Sequence, residues 1–245
     1  MAVYYTIPKL VSDKTLLIEG EEAHHINRVM RLKSGDFLEV VDGIGNGYRA
    51  EISSIKKGKV ECKIHTRTRK LCEPDNYITL ASGISTGSKF DDIIVRGTEL
   101  GISRFIPILS DKGKIKKLDE SSQKRRLTRW QKVAVAALKQ SGRSVLPDIL
   151  PPHEFGAIIE HLENLGDFMV FDPSGDLNIN DFKSTDEISS YTIMIGPESG
   201  FAPDELEFAR ERNIPIYSFG KRILRTENAG PSIAAVLMYL LGELR

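Results

Sequence analysis

The 245-residue sequence is poor in cysteine, tryptophan and long apolar runs, and each shortage excludes something. Two cysteines, Cys62 and Cys72, without CxxC spacing or a histidine partner at zinc-finger distance, provide neither a disulfide framework nor a metal site. No metal is expected, and a reducing cytoplasm fits best. The N-terminus MAVYYTIPKL has no cationic stretch followed by an apolar one. The longest apolar run, Ile233 to Leu241, is far short of the roughly 20 residues a membrane span needs. Export and membrane insertion are therefore not expected. With 40% hydrophobic and 28% charged residues, disordered, collagen-like and coiled-coil classes are excluded in favour of a soluble globular chain.

Net charge is also lacking, but the zero is a cancellation. Residues 96–145 hold 13 basic against 4 acidic residues, while residues 146–245 hold 7 against 17. Within about one Debye length, ~8–10 Å, nearby charges set the field, so the central block can attract a polyanion although the whole chain is neutral. Nucleic acid is a candidate partner; a solvated helix face balanced by the acidic C-terminal third is the alternative.

Short alternating segments fill the first 70 residues: TLLIEG, FLEVVDG, YRAEISSI and VECKIHTRT read as consecutive antiparallel strands of a small β-barrel. GIGNG (43–47) imitates a dinucleotide-binding fingerprint, but it lies between two strand patterns with no helix after it, so it reads as a hairpin turn. LCEPDN (71–76) is the candidate linker between a domain 1–72 and a domain 73–245. Beyond it, ITLASGI, FIPILS, FMVFD, YTIMIG and IPIYSFG alternate with helical stretches. That pattern predicts a mainly parallel α/β sheet covered on both faces. The first helix is predicted to start at an N-capping Ser88 and stop at Gly101. A second, about Ser122 to Gln140, carries Leu127, Trp130, Ala134, Ala137 and Leu138 on one face and Arg125, Arg129, Lys132 and Lys139 on the other.

Chemistry concentrates near the C-terminus. The strand YTIMIG runs into IGPESG (195–200), a glycine-bearing turn where a ligand can approach the backbone. Pro203 removes an amide donor from the helix that follows, and Asp204 with Glu205 already complements its dipole, which disfavours a phosphate ligand. IPIYSFG leads into an eleven-residue loop, Gly220 to Gly230, longer than the usual ~2–6 for a βα connection. Two neighbouring strands ending in such loops predict a crevice at the carboxyl edge of the sheet. The final helix is apolar all round and is expected to be buried, in this chain or against a second subunit.

IGPESGFAPDE (195–205) and FGKRILRTENAGPSIAA (219–235) resemble the two C-terminal motifs of the RsmE family, the ribosomal RNA small-subunit uracil-N3 methyltransferases of the SPOUT superfamily. The likeness extends to HHINRVMRLKSGD (24–36), RGTELGISRFIPILSDKG (96–113) and RWQKVAVAALKQSGR (129–143). Ser199 stands where the family usually has a second glycine, Asn228 where it has threonine, and Arg96-Gly97 where Lys-Ala is usual. The resemblance implies an N-terminal PUA-like β-barrel for RNA and a C-terminal α/β domain tied in a trefoil knot. It also implies S-adenosylmethionine as methyl donor, a homodimer, and 16S ribosomal RNA or the small ribosomal subunit as partner. Another SPOUT enzyme, acting on a ribose 2′-hydroxyl or a different base, and a non-catalytic RNA-binding protein are the alternatives.

On that resemblance the cofactor-binding residues are Phe171, Ile195, Gly196, Pro197, Glu198, Ser199, Gly200, Phe219, Gly220, Ile223, Leu224, Arg225, Thr226 and Ala229. Arg225 is assigned to stabilising charge on a uracil carbonyl oxygen, and Glu227 or Glu198 to accepting the N3 proton. Holding the loops through backbone amides is the alternative role for both acids. RNA contacts are assigned to Arg28, Arg31, Arg125, Arg129, Lys132 and Arg143.

Overall fold

The structure, a computed structural model, describes residues 2–183 and 189–244. In chain order the elements begin with β1 (Val3–Tyr5), β2 (Thr15–Ile18), α1 (Gly20–His24) running into a π-helical turn (His25–Val29), β3 (Phe37–Val41), β4 (Asn46–Lys56) and β5 (Lys59–Arg69). They continue with β6 (Tyr77–Gly83), α2 (Lys89–Glu99), β7 (Arg104–Leu109), α3 (Glu120–Ser141), β8 (Asp148–Ile149), β9 (His153–Glu154) and α4 (Phe155–His161). The last are β10 (Asp167–Phe171), β11 (Leu177–Asn178), β12 (Ser190–Ile195), α5 (Pro203–Glu211), β13 (Ile216–Ser218) and α6 (Thr226–Leu240). Two compact units result, Met1–Glu73 with Val135–Leu146, and Pro74–Ala134 with Pro147–Arg245.

The first unit is a five-stranded sheet in the order β1-β3-β4-β5-β2. The sequence pattern implied only antiparallel pairing, but β1 runs parallel to β3, because the chain leaves β1 through β2 and α1 before returning beside it. The Gly43–Gly47 segment is a turn between antiparallel β3 and β4, without a phosphate cradle. Asp42 organises it, accepting from the Ile44 and Asn46 amides at 3.0 and 3.1 Å and from the Tyr48 hydroxyl at 2.8 Å. Leu16, Ile18, Ile26, Leu38, Val40, Ile52 and Cys62 fill the interior, as the period-two burial of β2, β3 and β5 requires. The segment after α3 closes this unit, with the Gly45 amide bonded to Ser144 O at 2.9 Å and Arg143 sealed against Glu73.

The second unit carries a sheet in the order β11-β13-β10-β12-β6-β7-β8, with β9 beside β7 and every pairing parallel. Near-continuous burial in β6, β7 and β12 follows from helices on both faces. On one face α4 and α5 pack Phe155, Ile158, Leu206 and Ala209 against Ala81, Ile106, Val170 and Met194. On the other, Gly97 of α2 and Gly230 of α6 lie so close to the sheet that a Cβ would meet the Phe105 ring at 2.6 Å and Leu80 at 3.1 Å. Ser88 is the first residue before α2, but its hydroxyl makes no cap bond. Asp119 caps α3 instead, accepting from the Ser122 amide at 2.8 Å and from both serine hydroxyls, which holds its carboxyl well below the usual range. Of the two burial modes expected for α6, the chain alone covers its middle but leaves Tyr239 and Leu240 at its end exposed.

Candidate functional site

The strands β12 and β13 are not neighbours, as the sequence suggested; β10 lies between them. The chain leaves β12, forms α5, and returns on the far side of β10, which makes the carboxyl edge of β10 a topological switch point. The loops after β12 and β13 thus flank the residues that follow β10. Together they enclose a cavity of about 940 Å3 lined by Phe171, Asp172, Ser174, the whole Ile195–Phe201 turn, Phe219–Leu224, Thr226, Ala229 and Ile233. Every residue assigned to the cofactor lines this cavity except Arg225. Asp204 of the first motif and Lys112 of the 96–113 stretch also line it, as do Asp172, Glu207 and Arg210 from outside the quoted motifs.

Backbone geometry explains the glycines. A Cβ on Gly83 would lie 2.3 Å from the Pro197 nitrogen, and one on Gly196 would lie 2.9 Å from the Gly200 carbonyl carbon. Gly200 and Gly220 hold φ of 73° and 72°, the left-handed region where side chains are strained. One wall is aromatic, with Phe171 stacked on Tyr217 at 5.5 Å and edge-on to Phe219 at 6.5 Å. The start of α5 is poorly suited to an anion, since the Ala202 amide is given to Glu205 Oε2 at 2.6 Å, Pro203 has no amide proton and Asp204 and Glu205 stand in the first turn. Glu205, itself buried, also accepts from Ser110 Oγ at 2.8 Å and from the Asp111 amide at 3.2 Å.

The acids and arginine assigned to chemistry are placed unevenly. Glu198 lines the cavity but is ion-paired with Lys89. Arg225 is the exposed N-cap of α6 and Glu227 its second residue; neither lines the cavity, and both flank Thr226, which does. Among the described residues, Glu227 Oε2 is buried without a hydrogen-bond partner. Pro231, inside α6, cannot donate to the Glu227 carbonyl four residues earlier. Arg96 supplies the missing donor, its Nη1 reaching Glu227 O at 3.3 Å and also bonding the Asn228 side chain.

Of the arginines and lysine assigned to RNA, Arg28, Arg31, Arg125 and Lys132 are exposed, while Arg129 is exposed but paired with Asp91 through Nε at 2.7 Å. Arg143 leaves that set. It is 2% exposed, and its Nη2 bonds Glu73 Oε2 at 2.8 Å, so its charge is consumed inside the first unit. No described helix is long and apolar enough to cross a membrane, and no group of three or more metal-ligating side chains gathers among the described residues.

Residues 72–238 match the family described as RNA methyltransferase domain, and residues 18–64 match the RNA methyltransferase PUA domain. The chain is 33% identical over 237 residues to ribosomal RNA small subunit methyltransferase E of Bacillus subtilis, covering 94% of this chain and 92% of that one. The protein of the same name from Synechocystis is 29% identical, covering 96% and 76%. A crystal structure of a ribosomal RNA small subunit methyltransferase E from Neisseria gonorrhoeae bound to S-adenosyl methionine superposes with a TM-score of 0.86 at 26% identity, covering 98% of each chain.

Proposed function

The chain belongs to the RNA methyltransferase family that includes the ribosomal RNA small subunit methyltransferases E, and from that membership we propose that it uses S-adenosylmethionine to methylate N3 of a uridine in 16S ribosomal RNA. The observation that carries this reading is the single cavity on which the two glycine-bearing turns converge at the carboxyl end of β10.

The cavity suits the donor. S-adenosylmethionine has no phosphate, and at the α5 start Pro203 has no amide proton while the Ala202 amide is already given to Glu205. Phe171, Ile195, Phe219 and Leu224 present apolar surface for an adenosine, and Asp172 with Arg210 supplies charges of both signs for the amino-acid end. The bare backbones of Gly83 and Gly196 let the turn pack against β6 and fold on itself, which fixes its position at the cavity. When bound, the cofactor supplies an electrophilic methyl group on sulfur.

The chain's own residues hold donor and base together, supplying positioning as effective molarity, and handle one proton. Methylation at N3 requires the N3–H to leave. Glu227 is favoured over Glu198 as its acceptor, because Glu198 is already ion-paired with Lys89 while a Glu227 oxygen has no partner. Arg225, exposed beside it, faces the uracil oxygen that gains negative charge. The target base must leave its stack to be reached, with Arg28, Arg31, Arg125, Arg129 and Lys132 on the surrounding phosphates.

A homodimer and the deep trefoil knot are carried with this reading. In support of the dimer, Ile223 is 88% exposed although it lines the cavity, and Tyr239 is 69% exposed. A cytoplasmic location goes with a ribosomal substrate. Mass mapping of nucleosides from 16S RNA and from small subunits treated with the protein and S-adenosylmethionine should yield 3-methyluridine. A 2′-O-methylated or other methylated nucleoside would overturn the N3 assignment, and no methylation would overturn the enzyme. Light scattering should give twice the chain mass.

A further inference from the structure

Resting on the proposed function, we infer that the lysine turn after β7 grips the RNA phosphates beside the target nucleotide, and that Ser199 holds this turn in register with the cofactor-side loop.

Lys112, Lys114, Lys116 and Lys117 lie within six residues, all exposed. None is paired with a carboxylate among the described residues, and the nearest acid downstream, Asp119, is occupied in capping α3. Lys112 lines the cavity that the proposed function gives to the cofactor. One ammonium there is all that the cofactor's single carboxylate can use, and Lys114, Lys116 and Lys117 lie outside the cavity lining, where no part of the cofactor calls for them. A polyanion passing the rim is the ligand that four unpaired lysines suit.

The turn is fixed to the cavity wall at two places. Ser199 Oγ donates to Lys112 O at 2.7 Å. Glu205 joins the Ala202 amide at the end of the Ile195–Gly200 turn to the Ser110 hydroxyl and the Asp111 amide at the start of the lysine turn. Gly113 completes the bend with its amide on Ser110 O at 2.8 Å, where a Cβ would crowd that oxygen at 2.9 Å. A ligand that orders the Ile195–Gly200 turn therefore also orders the lysines. Cofactor and RNA should each tighten binding of the other by the same factor.

The test is binding of a 16S RNA transcript over a salt series, with and without S-adenosylhomocysteine, which occupies the site and donates no methyl. Replacing Lys114, Lys116 and Lys117 together by alanine should lower the slope of log affinity against log salt by about 2, since each phosphate contact contributes roughly 0.7–0.9. Arginine at the same three positions should restore it. S-adenosylhomocysteine should tighten wild-type RNA binding about fivefold or more. That ratio should fall towards one in Ser199→Ala and survive in Ser199→Thr, which keeps the hydroxyl. An unchanged slope in the triple alanine variant overturns the phosphate grip, and a wild-type ratio in Ser199→Ala overturns the tie. Either failure in a wild-type protein that still forms 3-methyluridine sinks this inference alone. Wild-type protein that forms no methylated nucleoside sinks the proposed function instead.

Discussion

Two placements of an arginine beside a glutamate, one in each unit, are built to opposite rules. In the first unit, Arg143 donates through Nε at 3.1 Å and Nη2 at 2.8 Å to one Glu73 oxygen, while the other oxygen accepts the Ser144 and Val145 amides at 2.7 and 2.8 Å. At the head of α6, Arg225 makes no cap bond through its side chain, and Glu227 keeps a buried oxygen with no partner. Buried polar groups are normally saturated, so the first arrangement has nothing left to offer a ligand. The second leaves polar capacity beside a cavity, where a substrate can use it. Residue type does not separate the two; the state of their hydrogen bonds does.

Removing each arginine should therefore fail in a different way. Arg143→Ala strands a buried carboxylate and should cost about 3–5 kcal/mol of stability, measured by urea unfolding, against a total of roughly 5–15 kcal/mol for a domain. Arg143→Lys should rescue little of it, because an ammonium cannot reproduce the two-nitrogen contact. Arg225→Ala should leave the unfolding curve unchanged and lower kcat by about 10²–10³, the usual effect of losing one charge-stabilising donor. Cofactor affinity should change far less. Equal losses in turnover and in cofactor affinity would remove Arg225 from the charge-stabilising role, and a large loss of stability would erase the contrast.

Arg96 sharpens the comparison because its Nη1 reaches the Glu227 carbonyl to which Pro231 cannot donate. Arg96→Ala should cost about 1–2 kcal/mol through the lost hydrogen bonds. In a Pro231→Ala background the new amide can reach the Glu227 carbonyl, so the same arginine change should cost measurably less. A double-mutant cycle reads the difference directly. Additive losses would show that Arg96 does not compensate for the proline.

Much of this was open to reading in one dimension, and the failures share a cause. Strand periods, the GIGNG turn and the parallel sheet follow from local rules, since burial alternates or saturates along each segment. The resemblance of the two C-terminal motifs pointed to residues that do line one cavity. Arg143 was misassigned because its position on a basic stretch is visible while Glu73, seventy residues away, is not. Strand order carries no local signature either, so the insertion of β10 between β12 and β13, and with it Asp172 and Ser174 at the cavity, went unread. The apolar row of α3, which begins at Leu127, marks the helix but not its first turn; α3 starts at Glu120, with the Ser122 amide on Asp119.

The smallest expected effect gives the first unit its own gauge. Cys62 is fully buried in that unit's core and its thiol is pushed up to about 12, while Cys72 is exposed. At pH 8 a thiol reagent should label Cys72 quickly and Cys62 only as fast as the core opens, so labelling should accelerate in Arg143→Ala and not in Arg225→Ala. The sign with pH is set by the raised value. Between about pH 9 and 12 the unfolded chain releases the thiol proton that the folded chain keeps, so stability falls as pH rises. From pH 8 to 10.5 wild type should lose about 2 kcal/mol more than Cys62→Ala. The raised phenols of Tyr4 and Tyr48 are common to both proteins and cancel in that difference. Parallel losses in the two proteins would mean that Cys62 exchanges its proton with solvent while folded. The first unit's core would then be looser than the closed Arg143–Glu73 pair requires.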